Sequence, residues 1–193
     1  MKRLSTIALV VLASCATGTY VPTRYFAIEV NVATEVASST SSATLGVRPL
    51  SSATLYRQQI VRSRTPYVFE QDPKAQWEEL PATILTKAIT QALRATGHFA
   101  DVADAAVMRA PTYLLTGQLI DFYERFDNGT RSAEAAIEIE VRQRDEGRTV
   151  LAKRYRASVA IPIAADPTAV APAMSDAATQ LVTQIAADVV QLP

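Results

Sequence analysis

At 193 residues, 49% of them hydrophobic and 20% charged, the chain has enough apolar mass for a packed core and too much for whole-chain disorder. Nineteen Lys and Arg balance nineteen Asp and Glu, so no global field draws it toward nucleic acid. One cysteine and one histidine, Cys15 and His98, exclude an intramolecular disulfide and a multi-ligand Cys/His zinc site.

Lys2 and Arg3 precede an apolar run from Ile7 to Leu12, followed by the small residues Ala13 and Ser14 and then Cys15. That is the layout of a secretory signal peptide, with an apolar run too short to span a bilayer. Leu12-Ala13-Ser14-Cys15 resembles the lipobox of bacterial lipoprotein precursors. The resemblance implies that residues 1–14 are removed and that Cys15 becomes an acylated first residue. Each buried CH₂ contributes about 0.8 kcal/mol, so two or more acyl chains hold a protein stably on a membrane. Ala16 stands where enteric lipoproteins kept at the inner membrane carry aspartate, which implies the outer membrane, periplasmic face, as the destination. Residues 15–24 are small, polar and proline-containing and read as a flexible tether, leaving 25–193 as a single folded domain.

The domain opens on residues 24–32, where Phe26, Ile28, Val30 and Val32 alternate with polar positions as in a first strand. The Ser/Thr-rich stretch 33–44 lacks an apolar period and reads as a loop. Two extended segments follow, "TLGVRPL" and "LYRQQIVRSRTPYVFEQ", interrupted at Pro49 and Pro66. Gln71-Asp72-Pro73 reads as a turn. Beyond it, Leu80, Ile84, Leu85, Ala88, Ile89, Ala92 and Leu93 recur at helical spacing, with Pro81 suited to the first turn and Gly97 to the position past the end. After a short "FADV" segment come three strands. "TYLLTGQLIDFYERF" is apolar on both faces and belongs in the centre of the sheet. "AAIEIEVRQR" and "TVLAKRYRASVAI" alternate, and a three-residue turn at Glu146-Gly147-Arg148 would pair Glu140 with Arg154 and Glu138 with Arg156. A last, alanine-rich helix over residues 167–190 presents Val170, Met174, Ala177, Ala178, Leu181, Ile185 and Val189, with Asp166 as N-cap; Pro172 offers a later start. The expected fold class is α+β, an antiparallel or mixed sheet with two helices packed on one face.

Groups able to do chemistry are sparse. His98, with Asp101 and Asp104 nearby in sequence, reads better as a helix-end histidine than as an oriented base. Glu70, Asp72, Glu78 and Glu79 lack the spacing of a calcium loop, and six scattered glycines make no phosphate cradle. No catalytic residue, metal site or cofactor is therefore expected. Arg57, Arg62 and Arg64 lie beside Tyr56 and Tyr67. Such a stretch suits a partner or lipid phosphate, and equally a solvated edge strand protected by charge.

"LYRQQIVRSR" followed by "WEELPATILTKAITQAL" resembles the ABC-type transport auxiliary lipoproteins, a family that includes the periplasmic lipoprotein of MCE-type lipid transport systems. Leu55, Arg57, Gln59, Ile60, Val61 and Arg64 match one stretch of the family pattern, and Trp77, Glu79, Leu80 and Pro81 match the next with Leu-Pro inverted. Ser52 and Thr54 depart from it. The resemblance implies a non-enzymatic adaptor moving lipids between inner and outer membranes, with an MCE substrate-binding protein and its ABC permease and ATPase as partners. Homo-oligomerisation is a further expectation. The alternative in the same compartment is an assembly or cell-envelope accessory lipoprotein that binds another envelope protein. Arg57, Gln59, Arg62, Arg64, Tyr67 and Trp77 are the expected partner-interface residues.

Overall fold

The computed structural model describes residues 21–33, 37 and 39–192. The expected signal peptide, Cys15 and the tether as far as residue 20 lie outside them. Among the described residues nine strands form one mixed sheet: β1 (Arg24–Phe26), β2 (Thr44–Val47), β3 (Ser51–Ser52), β4 (Gln59–Thr65), β5 (Val68–Trp77), β6 (Asp101–Asp104), β7 (Tyr113–Asp127), β8 (Thr130–Gln143) and β9 (Arg148–Ala160). Two helices, α1 (Pro81–Ala95) and α2 (Val170–Val189), pack against it and against each other, giving the expected α+β class.

β7 organises the sheet. β8 pairs with it antiparallel along its whole length and carries β9 outside it. Along the opposite edge of β7, β2, β3 and β4 follow one another, each parallel to it. β6 lies outside β2, β5 outside β4, and β1 beside the last residues of β5. The central placement read from the apolar sequence of β7 is therefore correct, but its two-faced character has a local cause. Leu119 pairs with Ile137 and Asp121 with Ala136, so Ile120 is an extra residue, a β-bulge. Leu115 and Leu119 face the helices before it, and Phe122 and Glu124 after it. Without the bulge, the period of two would turn Phe122 and Glu124 to the other face.

The α2 stripe is the one expected, with all seven named positions buried, and in α1 Leu85, Ala88, Ile89, Ala92 and Leu93 are buried with Ile84 partly so, but Leu80 precedes the helix as its N-cap and is exposed. α1 starts at Pro81, and Gly97 takes φ +66° past its end, where a side chain would be strained. Asp166 accepts from the Thr168 amide and caps a single 3₁₀ turn, Pro167–Ala169; the regular helix starts at Val170, between the two starts suggested by Pro167 and Pro172.

Three local expectations are corrected. Only Arg24–Phe26 of the first expected strand joins the sheet. The residues after it still turn Ile28 inward and Val30 and Val32 toward the core, but they run along α2, where Ser175 Oγ and Thr179 Oγ1 accept from the Glu29 and Asn31 amides at 3.1 and 3.2 Å. Helix hydroxyls take the place of a neighbouring strand. Asp72-Pro73 is not a turn: β5 runs through it, and Pro73 falls in an irregularity between the Gln76 and Gln71 pairings, where no ladder donor is required. The β8–β9 register differs by two residues from the one expected. The connection spans residues 144–147 and β9 has a bulge near Val150, so Glu138 faces Arg154, Glu140 faces Ala152 and Arg156 faces Ala136. A shift of two keeps the side chains from Leu151 onward on their expected faces, which is why the alternation was right there and the partners were not, while beyond the bulge Thr149 turns to the face of Arg142.

Candidate functional site

The β4–β5 hairpin carries most of the residues that the sequence offers to a partner, and a charged network fixes it to the sheet. Arg62 donates from Nε to Glu124 Oε2 at 2.8 Å and from Nη1 to Asp72 Oδ2 at 2.7 Å. Glu124 is fully buried, and its other oxygen accepts from Arg131 Nε. Arg131, itself buried, also donates to the Ala165 carbonyl at 2.9 Å, in the segment leading to α2. One carboxylate thus ties together β4, β7 and β8, and its two arginines extend the tie to β5 and to the approach of α2. Burial opposes ionisation of Asp72, but the Lys74 amide and the Arg62 guanidinium outweigh it and hold this carboxyl below its ordinary range. Burial also works against the Arg62 charge, and Glu124 and Asp72 reverse it, raising the guanidinium above its usual value.

Above this network the hairpin is exposed. Arg64 reaches Glu70 at 3.5 Å and lies 5.5 Å from the centre of the Phe126 ring. Tyr67, at the turn, is 91% exposed, with Val68 and Phe69 beside it also accessible. Phe69 packs edge-on against Tyr123, which stacks on the buried Tyr56. Burial, with Asp121 next to it, raises the Tyr56 hydroxyl well above the ordinary phenol range. Among the described residues no strand pairs with the outer edge of β5 over residues 68–71, because β1 covers only Ala75–Trp77.

The six residues expected at a partner interface therefore fall in different places. Arg57, Arg64 and Tyr67 are on the surface and Gln59 is half-buried. Arg62 is engaged inside the chain by Glu124 and Asp72. Trp77 is 1% exposed and meets Phe122 edge-on at 5.6 Å, so it presents no surface to a partner and secures β5 to the core instead. Sequence reading passed over Glu124 and Arg131. Their signal was a pair of opposite charges flanking the Asp127-Asn128-Gly129-Thr130 turn. His98 is enclosed as well: its Nδ1 lies 2.9 Å from the Ser39 carbonyl and its ring stands edge-on to Phe99, which leaves no open approach for a substrate.

Among the described residues no helix is long and apolar enough to cross a membrane, and no cluster of His, Cys, Asp and Glu is arranged to hold a metal ion. Compared with known proteins, the sequence matches the family described as ABC-type transport auxiliary lipoprotein component over residues 26–186. No curated protein matches it. Among solved structures, a Xanthomonas campestris protein of the DUF330 family shares 20% identity at a TM-score of 0.78, with 87% of this chain and 95% of that one aligned. A hypothetical protein of Chlamydia trachomatis aligns over 79% of this chain and 98% of its own with a TM-score of 0.57 and 9% identity. At these identities the structures support the fold alone.

Proposed function

The chain belongs to the family of ABC-type transport auxiliary lipoproteins, and from that premise we propose that it is the non-enzymatic adaptor of an MCE-type lipid transport system. In this reading acylated Cys15 anchors the domain to the periplasmic face of the outer membrane, and the domain docks an MCE substrate-binding protein served by its ABC permease and ATPase. Family membership supports a membrane-anchored envelope location and a transport-auxiliary role. The feature that carries docking is the open outer edge of β5 over residues 68–71, with exposed Arg64 beside it on β4; exposed Arg57 and half-buried Gln59 lie farther off, before and at the start of β4, where β1 covers β5. An unpaired edge offers main-chain donors and acceptors to a partner strand, and flanking arginines select its charge. Further copies of the chain could use the outer edge of β9, which has no strand neighbour among the described residues.

Co-purification of the native chain from solubilised membranes tests this reading. The expected result is recovery of an MCE protein, reduced in the Arg57→Glu, Arg64→Glu double variant, with Cys15→Ala releasing folded protein from the membrane fraction. Recovery of a β-barrel or a cell-wall synthase in its place would move the chain to the alternative role, an accessory of envelope assembly.

A further inference from the structure

Two independent observations give the direction from which the chain enters the domain. β1 lies beside the last residues of β5, Ala75–Trp77, and runs parallel to it, so the chain before Arg24 comes from the side of the β4–β5 turn. Farther on, Glu29 and Asn31 follow Ser175 and Thr179 along α2, so the segment and the helix run the same way and Arg24 lies level with the approach to the helix. The charge of Arg24 acts on both Asp72 and Asp166, which agrees with that position.

The end with the β4–β5 turn gathers three connections. Arg62 and Ser63 of β4 pair with Glu124 and Arg125 of β7, which puts the Pro66-Tyr67 turn beside the Asn128-Gly129 turn. The Ile161 amide donates to the Arg131 carbonyl, so the 161–166 segment leaves β9 at this end too. These connections expose large apolar side chains, Tyr67, Val68 (50%) and Ile163 (57%), and Val21 begins the described chain shortly before Arg24. At the opposite end of β7 and β8 the connection 144–147 carries the charged Arg144, Asp145 and Glu146, and the loop that leads into β7 exposes one large apolar side chain, Val107. A strand the length of β7 separates the two ends by roughly 50 Å.

We infer that the end bearing Tyr67, Val68 and Ile163 rests on the phospholipid surface to which the chain is anchored, with these side chains in the headgroup region. The inference builds on the acylation of Cys15 proposed above. Extended, the chain from Cys15 to Arg24 reaches at most about 30 Å, and because it approaches Arg24 from the side of the β4–β5 turn, a lipid on Cys15 holds this end nearer the bilayer than the 144–147 end. Tyrosine suits such a boundary because its ring is apolar and its hydroxyl stays wet. Acidic and basic groups are mixed at this end, so the contact depends on apolar area and not on anionic lipid. The seating puts Val68, the first residue of the open β5 edge, at the headgroups and leaves the edge from Phe69 onward running away from the membrane, toward a partner arriving from the periplasm.

Full-length protein carrying Tyr67→Cys, Ile163→Cys or Asp145→Cys, labelled with bimane on the thiol and reconstituted in phosphatidylcholine vesicles, tests the seating. All three positions are exposed, and Trp77 fluorescence checks that each variant is folded. The expected result is a blue shift at positions 67 and 163 with loss of emission when the acyl chains are brominated, and neither change at position 145. Wild-type protein, with Cys15 blocked by its thioether, takes up no label. If wild-type protein labels, the acylation reading fails and the seating fails with it. If wild-type stays unlabelled and floats with the vesicles while position 67 behaves like position 145, the seating alone is overturned.

Discussion

Glu124 sits between two guanidiniums with no access to water, and a buried ion pair that loses one member leaves an uncompensated charge behind. Glu124→Gln keeps the shape of the side chain and removes its charge, so Arg131 loses its counter-ion inside the protein. The expected cost is about 3–5 kcal/mol, or roughly 10 °C in Tm, measured by thermal denaturation at neutral pH. Arg64→Ala, breaking the exposed pair with Glu70, should cost less than about 1 kcal/mol in the same measurement. This contrast also shows why single residues were hard to assign from sequence. Arg62 and Arg64 are two apart on one strand and look alike in a basic stretch, yet one is held beneath the hairpin and the other lies in solvent.

At the scale of elements, the sheet depends on close approaches that no helix or strand period reveals. Gly117 sits in the middle of β7 because its side-chain space is taken: an added Cβ would lie 2.6 Å from the Glu138 carbonyl oxygen and 2.7 Å from both Leu50 and Ile139 side-chain carbons. Gly117→Ala should therefore destabilise by about 1–3 kcal/mol through overpacking, despite alanine's better strand fit, and denaturant titration would show a lower midpoint with an unchanged slope. Helices α1 and α2 were legible almost residue by residue, because burying a stripe at 3.6-residue spacing is a local demand. The turn at Asp72-Pro73 was misread because proline marks a missing donor, and a bulge in an edge strand meets that condition as well as a turn does. The length of β1 was misread for a related reason: an apolar alternation shows which side chains go inward, not whether a strand or a helix hydroxyl satisfies the amides.

For the whole molecule, the buried side chains of both helices and of the long strands form one contiguous cluster, and we propose that the described residues unfold as one unit. Far-UV circular dichroism and Trp77 fluorescence should then report a single coincident unfolding transition, since Trp77 packs on Phe122 at the centre of that cluster. Two separate transitions would show instead that the β4–β5 region opens independently. Along such a unit the end with the Pro66-Tyr67 turn exposes Tyr67, Val68 and Ile163, and it is this end that connects the proposed anchor with the proposed docking edge.

The sequence by itself determined the α+β class, the two helix faces, the central place of β7 and the family, because these follow from short-range periodicity and from motifs a few residues long. Tertiary structure alone decided which arginine is buried, where Trp77 points, how β8 and β9 are registered and from which direction the chain enters the domain. Those are contacts between residues distant in sequence, selected by bulges and by charge neutralisation inside the core, and a local pattern holds no record of them.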